Sequence, residues 1–231
     1  MGRRSLRKTA KIDLAVHLRK VEEVPLPWSQ EALFGRAAPL EIEIGSGKGL
    51  FLSNTAPQHP EHDFLGIEVE GKYAAHAAAK LARAGITNAR MLHGDAQRFF
   101  AEWLPDRSVA AVHVYFPDPW WKKRHKKRRV LNERSVRQIE RVLMPHGRLH
   151  FWTDVEEYFQ TALELVATHT RLAGPFEVPE VAPQHDLDYR THFERRVRMA
   201  GLPVYRAEFE KLPGREPIPP SSVAEVSDLG N

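Results

Sequence analysis

The chain has 231 residues, 42% hydrophobic and 28% charged, which suits one compact α/β domain with small appendages and is too short for two substantial enzymatic domains. No apolar run approaches the roughly 18 residues that a membrane span needs, the basic N-terminus lacks the features of a secretory signal, and the absence of cysteine excludes disulfide scaffolds, thiolate zinc sites and cysteine nucleophiles, with a reducing cytoplasm as the expected home. The net charge of +4 is uneven: residues 122–129, KKRHKKRR, carry +7 and residues 1–20 carry +6, so the rest carries about −9, a footprint expected for a polyphosphate partner.

In chain order, residues 1–37 read as a basic arm with a lead-in helix. LEIEI (Leu40 to Ile44) reads as a strand and GLFLSNTA after it as a helix. DFLGIEV (Asp63 to Val69) is a second strand. Lys72 to Ala84 repeats Tyr73, Ala74, Ala77, Ala78 and Leu81 on one helix face, and Gly85 stops it. Ala89 to Gly94, Val109 to Phe116 and Gly147 to Thr153 are further strands. Helices are predicted over Gln97 to Trp103, Asn132 to Leu143 and Val155 to Ala167. Strands alternating with helices imply right-handed crossovers, hence a doubly wound α/β fold with a mostly parallel sheet and ligands at the strands' carboxyl ends. Pro175 to Pro183 cannot be an interior helix, THFERRVRMAG is a short one closed by Gly201, and PVYRAEFEK is a last, antiparallel strand. The main domain thus spans 38–211, followed by a Pro-rich, flexible tail, 212–231.

EIEIGSGKG (Glu41 to Gly49) sits at a strand-to-helix junction, where Gly45, Gly47 and Gly49 permit a tight turn and close backbone approach to a ligand. Its spacing is neither that of a dinucleotide fingerprint nor that of a Walker loop. Glu43 in the leading strand would repel a pyrophosphate and attract a cation. Glu68, ending the second strand, can accept from both ribose hydroxyls, and Asp95 after the third can bind the exocyclic amino group of a base. Each carboxylate alone is more often a loop-capping residue; together, after successive strands, they point to a nucleoside without phosphates. S-adenosylmethionine matches best, because its sulfonium and ammonium are positive where a dinucleotide is negative.

After the fourth strand comes YFPDPWWKKRHKKRRVLN (Tyr115 to Asn132). Pro117 and Pro119 bracket Asp118 and bias it to extended or turn geometry. A carboxylate there can accept from N1 and N2 of guanine, while Trp120 and Trp121 can stack on a base or pack beneath the loop. The plainer reading is a proline-stiffened surface loop. Asp154, with Glu157 three residues on, reads first as a helix cap, and Thr191 with Glu194 is likewise a capping box. The twelve histidines give no trusted metal site, His59 and His62 flanking Pro60 in a loop, and there is no G-x-S-x-G elbow.

EIGSGKG, GIEV, GDA, VYFPDPWWKKRHKKRR, TD at 153–154 and THFERR together resemble the bacterial tRNA (guanine-N7)-methyltransferase family over roughly residues 38–210. The resemblance implies a Rossmann-like class I methyltransferase fold with 38–211 as its catalytic domain. It further implies methyl transfer from S-adenosylmethionine to N7 of guanine in tRNA, at position 46 of the variable loop, without a metal. By position-for-position similarity, Glu43, Gly45, Gly47, Glu68, Asp95 and Asp118 would bind the cofactor, Asp118 also serving catalysis. Lys122, Asp154, Thr191, His192, Phe193 and Glu194 would face the RNA or the target base. Lys123, Arg124, Lys126, Lys127, Arg128 and Arg129 would hold the RNA backbone. This chain departs from the family's pattern at Trp121, Val155 and His192. A non-catalytic RNA-binding protein and a methyltransferase for another substrate are the alternatives, and monomer and homodimer both stay open.

Overall fold

The computed structural model describes residues 12–120, 129–180, 189–215 and 217–218. Eight strands form one sheet: β1 (Leu18–Lys20), β2 (Leu40–Ile44), β3 (Asp63–Glu68), β4 (Ala89–His93), β5 (Val109–Tyr115), β6 (Leu143–Thr153), β7 (Ala173–Phe176) and β8 (Tyr205–Glu210). Their order is β1-β4-β3-β2-β5-β6-β8-β7. All pairs from β1 to β6 are parallel, and β8 runs antiparallel to β6 and β7. The run β4-β3-β2-β5-β6 is the 3-2-1-4-5 order of a doubly wound sheet, with its switch point between β2 and β5.

The helices are α1 (Gln30–Phe34), α2 (Leu50–Thr55), α3 (Gly71–Arg83), α4 (Ala96–Glu102), α5 (Glu133–Val142), α6 (Glu156–His169) and α7 (His192–Met199). They cover two faces because alternate strand residues feed two separate cores. Ile42, Leu65, Val112 and Val114 pack with Phe99, Ile139 and Tyr158 of α4, α5 and α6. Phe64, Tyr115 and Trp152 pack with Phe51 of α2 and Ala77 and Leu81 of α3. Burying one large apolar side chain contributes on the order of 1.5–3 kcal/mol, so two continuous layers hold every strand's carboxyl end in place.

Two expectations change. The expected boundary at residue 38 misses an edge strand: Leu18–Lys20 pairs with β4, and Val21 and Val24 enter the core. Three residues are too few to show a period, so only pairing reveals them. The strand predicted from Gly147 begins at Leu143, directly after α5. There the buried Lys211 donates from Nζ to the carbonyls of Glu140 (2.6 Å) and Leu143 (2.7 Å), satisfying groups that the helix end leaves open. Of the predicted tail, Ile218 accepts a hydrogen bond from Arg137 of α5; residues 216 and 219–231 lie outside the described residues.

Candidate active site

The loop between β2 and α2 turns through three left-handed glycines, Gly45 (φ 77°), Gly47 (φ 52°) and Gly49 (φ 66°). A Cβ on Gly49 would stand 2.7 Å from the Cβ of Ala77, so glycine there sets how closely the loop approaches α3. The loop is pinned to the end of β3. Gly45 N donates to the carbonyl of Ile67 (2.8 Å), and Gly47 N donates to Oε2 of Glu68 (2.8 Å). Glu68 Oε1 accepts from Glu70 N (2.8 Å). The buried Glu68 therefore shapes the loop while lining the cavity beside it.

That cavity, about 460 Å³, has Gly45, Glu68, Asp95, Phe100, Trp120 and Arg134 among its walls, a volume in the range of small-molecule sites. Asp95 is the N-cap of α4, and its Oδ1 accepts from Gln97 N (2.8 Å). It is exposed, and it both caps the helix and lines the cavity. Arg134 and Gln138 of α5 also line it. No motif marks them; only the packing of α5 over the switch point brings them there.

Glu43 lies on the other face of β2. It is buried, and its Oε2 has no hydrogen-bond partner. Burial pushes its carboxyl up to about 8 against the opposing pull of Ser46, and the charge of Glu68 adds to the rise. An orphaned buried acid of this kind fits a cationic ligand.

Below Glu43 is a polar chain that the sequence reading missed. Glu41 bonds His62 Nδ1 (2.6 Å) and His113 Nε2 (2.7 Å), and His113 Nδ1 bonds the Tyr115 hydroxyl (2.9 Å). Burial holds His113 down to about 4. Burial would raise Glu41, but the hydrogen bonds and charges of His113 and His62 outweigh it and bring the carboxyl to about 2. The neutral ring thus donates from Nε2 to Glu41 and accepts at Nδ1 from Tyr115. Period-2 alternation in LEIEI and VAAVHVY places these residues on one face, and that was the available signal.

β5 runs into the acidic loop, where Phe116 (φ 50°) and Trp120 (φ 44°) sit in left-handed conformations uncommon for bulky residues. Between them Asp118 is exposed and has no hydrogen-bond partner among the described residues. Arg129, expected on the RNA backbone, is buried instead. Its Nε donates to the carbonyl of Pro119 (2.7 Å), and its guanidinium lies 4.8 Å from the Tyr158 ring centroid. A planar cation with a carbonyl and a ring to satisfy is pulled under the loop rather than out to solvent. Lys122, Lys123, Arg124, Lys126, Lys127 and Arg128 lie outside the described residues.

The structure separates Asp154 from Thr191 and Glu194, which the sequence reads alike as helix caps. Asp154 does not cap α6: the N-cap is Val155, whose amide donates to Thr153 Oγ1 (3.2 Å), and the Asp154 carboxylate has no partner among the described residues. The Thr191 and Glu194 cap is real. Thr191 Oγ1 accepts from Glu194 N (3.0 Å), and Glu194 Oε2 accepts from Arg190 N (2.6 Å). Glu194 is 1% exposed and ion-paired to Arg198 and Arg206. His192 and Phe193 are exposed, and Phe193 packs on Phe116 with ring centroids 5.4 Å apart. Among the described residues, no group of three His, Asp or Glu side chains could hold a metal, and no helix is long and apolar enough to cross a membrane.

A switch-point cavity flanked by a glycine loop and acidic strand ends, in this strand order, is the architecture of a Rossmann-like methyltransferase. Two solved structures share the fold. One described as "Structure of an antibiotic related Methyltransferase" is 16% identical, with a TM-score of 0.58, covering 80% of this chain and 96% of that one. The 16S rRNA methyltransferase KamB is 17% identical, with a TM-score of 0.57, covering 79% and 92%. Residues 37–207 match the Methyltransf_4 family, described as "Putative methyltransferase". A tRNA (guanine-N(7)-)-methyltransferase of Rhodopirellula baltica is 49% identical over 91% of this chain and 80% of that protein. One of Paracidovorax citrulli is 37% identical over 83% and 76%. The chain belongs to the tRNA (guanine-N(7)-)-methyltransferase family.

Proposed function

We propose that this chain methylates N7 of guanine in tRNA with S-adenosylmethionine as donor, at position 46 of the variable loop, in the cytoplasm. The observation that carries the site assignment is a pair of carboxylates without partners among the described residues, Asp118 and Asp154, just past the ends of the adjacent strands β5 and β6. When bound, the donor supplies a methyl group activated by a sulfonium. Glu68 and Asp95 would hold its nucleoside, with Gly45 and Gly47 giving close backbone approach, and Glu43 would face its positive end. That set fits the donor: a buried acid with one unpaired oxygen, Glu43 Oε2, beside acidic strand ends suits a cationic nucleoside and opposes a phosphorylated one.

Guanine N7 already has a lone pair, so no residue has to remove a proton. Asp118 and Asp154 have instead to place the base and to stabilise the positive charge that methylation leaves on it. N7 lies on the Hoogsteen edge, so the nucleotide has to leave its tertiary contacts in part. Asp118 accepts from N1 and N2, which orients the ring. By the family resemblance Lys122 serves the target nucleotide and Lys123, Arg124, Lys126, Lys127 and Arg128 the RNA backbone, while Arg129 shapes the loop that presents Asp118. Purified protein incubated with labelled S-adenosylmethionine and unmodified tRNA should give 7-methylguanosine on nucleoside analysis, mapped to position 46. Another methylated nucleoside, or none, overturns this reading.

A further inference from the structure

A second cluster of cations, which no motif announces, lies where the glycine loop meets α3 and α7. Lys72, His76, Lys80 and Arg83 fall on one stripe of α3 by helical spacing. The close contact of Gly49 with Ala77 brings Lys48 of the glycine loop against the turn that carries His76 and Lys80. From α7, His192 joins them: the charges of Lys80, Lys48 and His76 all bear on its ring, and those of Lys48, Arg83 and Lys80 bear on His76. Three elements far apart in sequence thus converge on one cationic surface.

Two features make this more than a solvated helix face. Lys48 and Lys80 are half-buried, yet among the described residues neither they nor Lys72 nor Arg83 has a carboxylate within ion-pair distance. Half-buried cations cost stability through desolvation unless an anion offsets them, and burial alone already holds the Lys80 ammonium below its usual range. In addition, Nδ1 of His76 is buried without a hydrogen-bond partner. The surface also borders the site, because the glycine loop carries Lys48, and α7, which carries His192, holds Phe193 against Phe116.

We propose that Lys48, His76, Lys80 and Arg83 form a second phosphate-binding surface, which grips the RNA backbone on the α3 side of the site, apart from the basic run at 122–128. The proposal rests on the tRNA reading above and adds a docking surface to it. A single basic segment can attract RNA but leaves it free to pivot; a second set of phosphate contacts fixes its orientation.

The test compares full-length wild type with Lys80→Ala/Arg83→Ala, with Lys80→Arg, and with the exposed charge reversal Arg83→Glu, which leaves the packed side of α3 intact. Unmodified tRNA binding is measured by fluorescence anisotropy across salt, and S-adenosylmethionine binding by calorimetry. The double variant should bind tRNA about tenfold more weakly at low salt, with a log–log salt slope shallower by about 1–2. Arg83→Glu should weaken binding in the same direction, Lys80→Arg should stay near wild type, and cofactor affinity should not change. Unchanged tRNA affinity and slope in both Arg83 variants, while the wild type forms 7-methylguanosine, overturns the second surface alone. Loss of cofactor affinity also overturns it, by assigning these cations to the donor's carboxylate. Failure of the wild type to form 7-methylguanosine is a failure of the underlying function and is read separately.

Discussion

Arg129 donates from Nε to the carbonyl of Pro119 at 2.7 Å, so the last cation of a seven-cation run is a brace for the loop that carries Asp118. Arg129→Ala should therefore lower kcat by about tenfold to a hundredfold through misplacement of Asp118, with the salt slope of tRNA binding unchanged. Arg129→Lys should recover little, since an ammonium lacks the planar fork that meets both Pro119 and the Tyr158 ring. Neutralising Lys123, Arg124, Lys126, Lys127 and Arg128 should do the reverse, flattening the slope by about 0.7–0.9 for each phosphate that is no longer neutralised. A flattened slope in Arg129→Ala would return that residue to the RNA interface.

Asp118 and Asp154 have no internal partners among the described residues, whereas Glu194 is saturated by Arg190, Arg198 and Arg206. Asp118→Asn and Asp154→Asn should unfold at the wild-type temperature and lose about 10²–10³-fold in kcat. Glu194→Ala should cost roughly 1–3 kcal/mol, because Arg190 N loses its acceptor and Arg198 and Arg206 keep only Glu180 as a carboxylate partner, and Thr191→Ala about 1 kcal/mol for the lost cap. Denaturant titration alongside single-turnover methylation separates the two groups. Full turnover in both aspartate variants would remove the base-positioning role.

The buried Glu43 carboxyl, pushed up to about 8, is protonated in the free protein at neutral pH. A cationic donor favours its ionised form, so binding releases a proton and tightens as pH rises from about 6 to 7.5. Calorimetry in buffers of different ionisation enthalpy should detect that proton, and Glu43→Gln should abolish both the release and the pH slope. A slope that persists in the variant would place the titrating group elsewhere.

The Glu41 and His113 pair sets how stability responds to acid. His113 is held at about 4 against an ordinary 6.5, so between those values the unfolded chain takes up a proton that the folded one refuses, and stability falls as pH falls. Glu41, at about 2 against 4.5, contributes stability that is present above 4.5 and lost as pH drops toward 2. Chemical denaturation from pH 7 to 4 should show this decline, and His113→Phe should flatten its upper part. An equal slope in the variant would assign the acid sensitivity to other groups.

The sequence by itself determined the alternating elements, the antiparallel final strand, the glycine loop with Glu68 and Asp95, and the acidic loop beside a basic run. Each is a local pattern, whether a hydrophobic period, a turn residue or a charge block, and local patterns survive without knowledge of neighbours. The edge strand Leu18–Lys20, the buried brace of Arg129, the freedom of Asp154 among the described residues against the commitment of Glu194, and the gathering of Lys48 and Lys80 about His76 were decided only by tertiary structure. Whether a polar side chain is spent on a partner or left open depends on groups tens of residues away, and only the packed sheet brings those groups within hydrogen-bond reach.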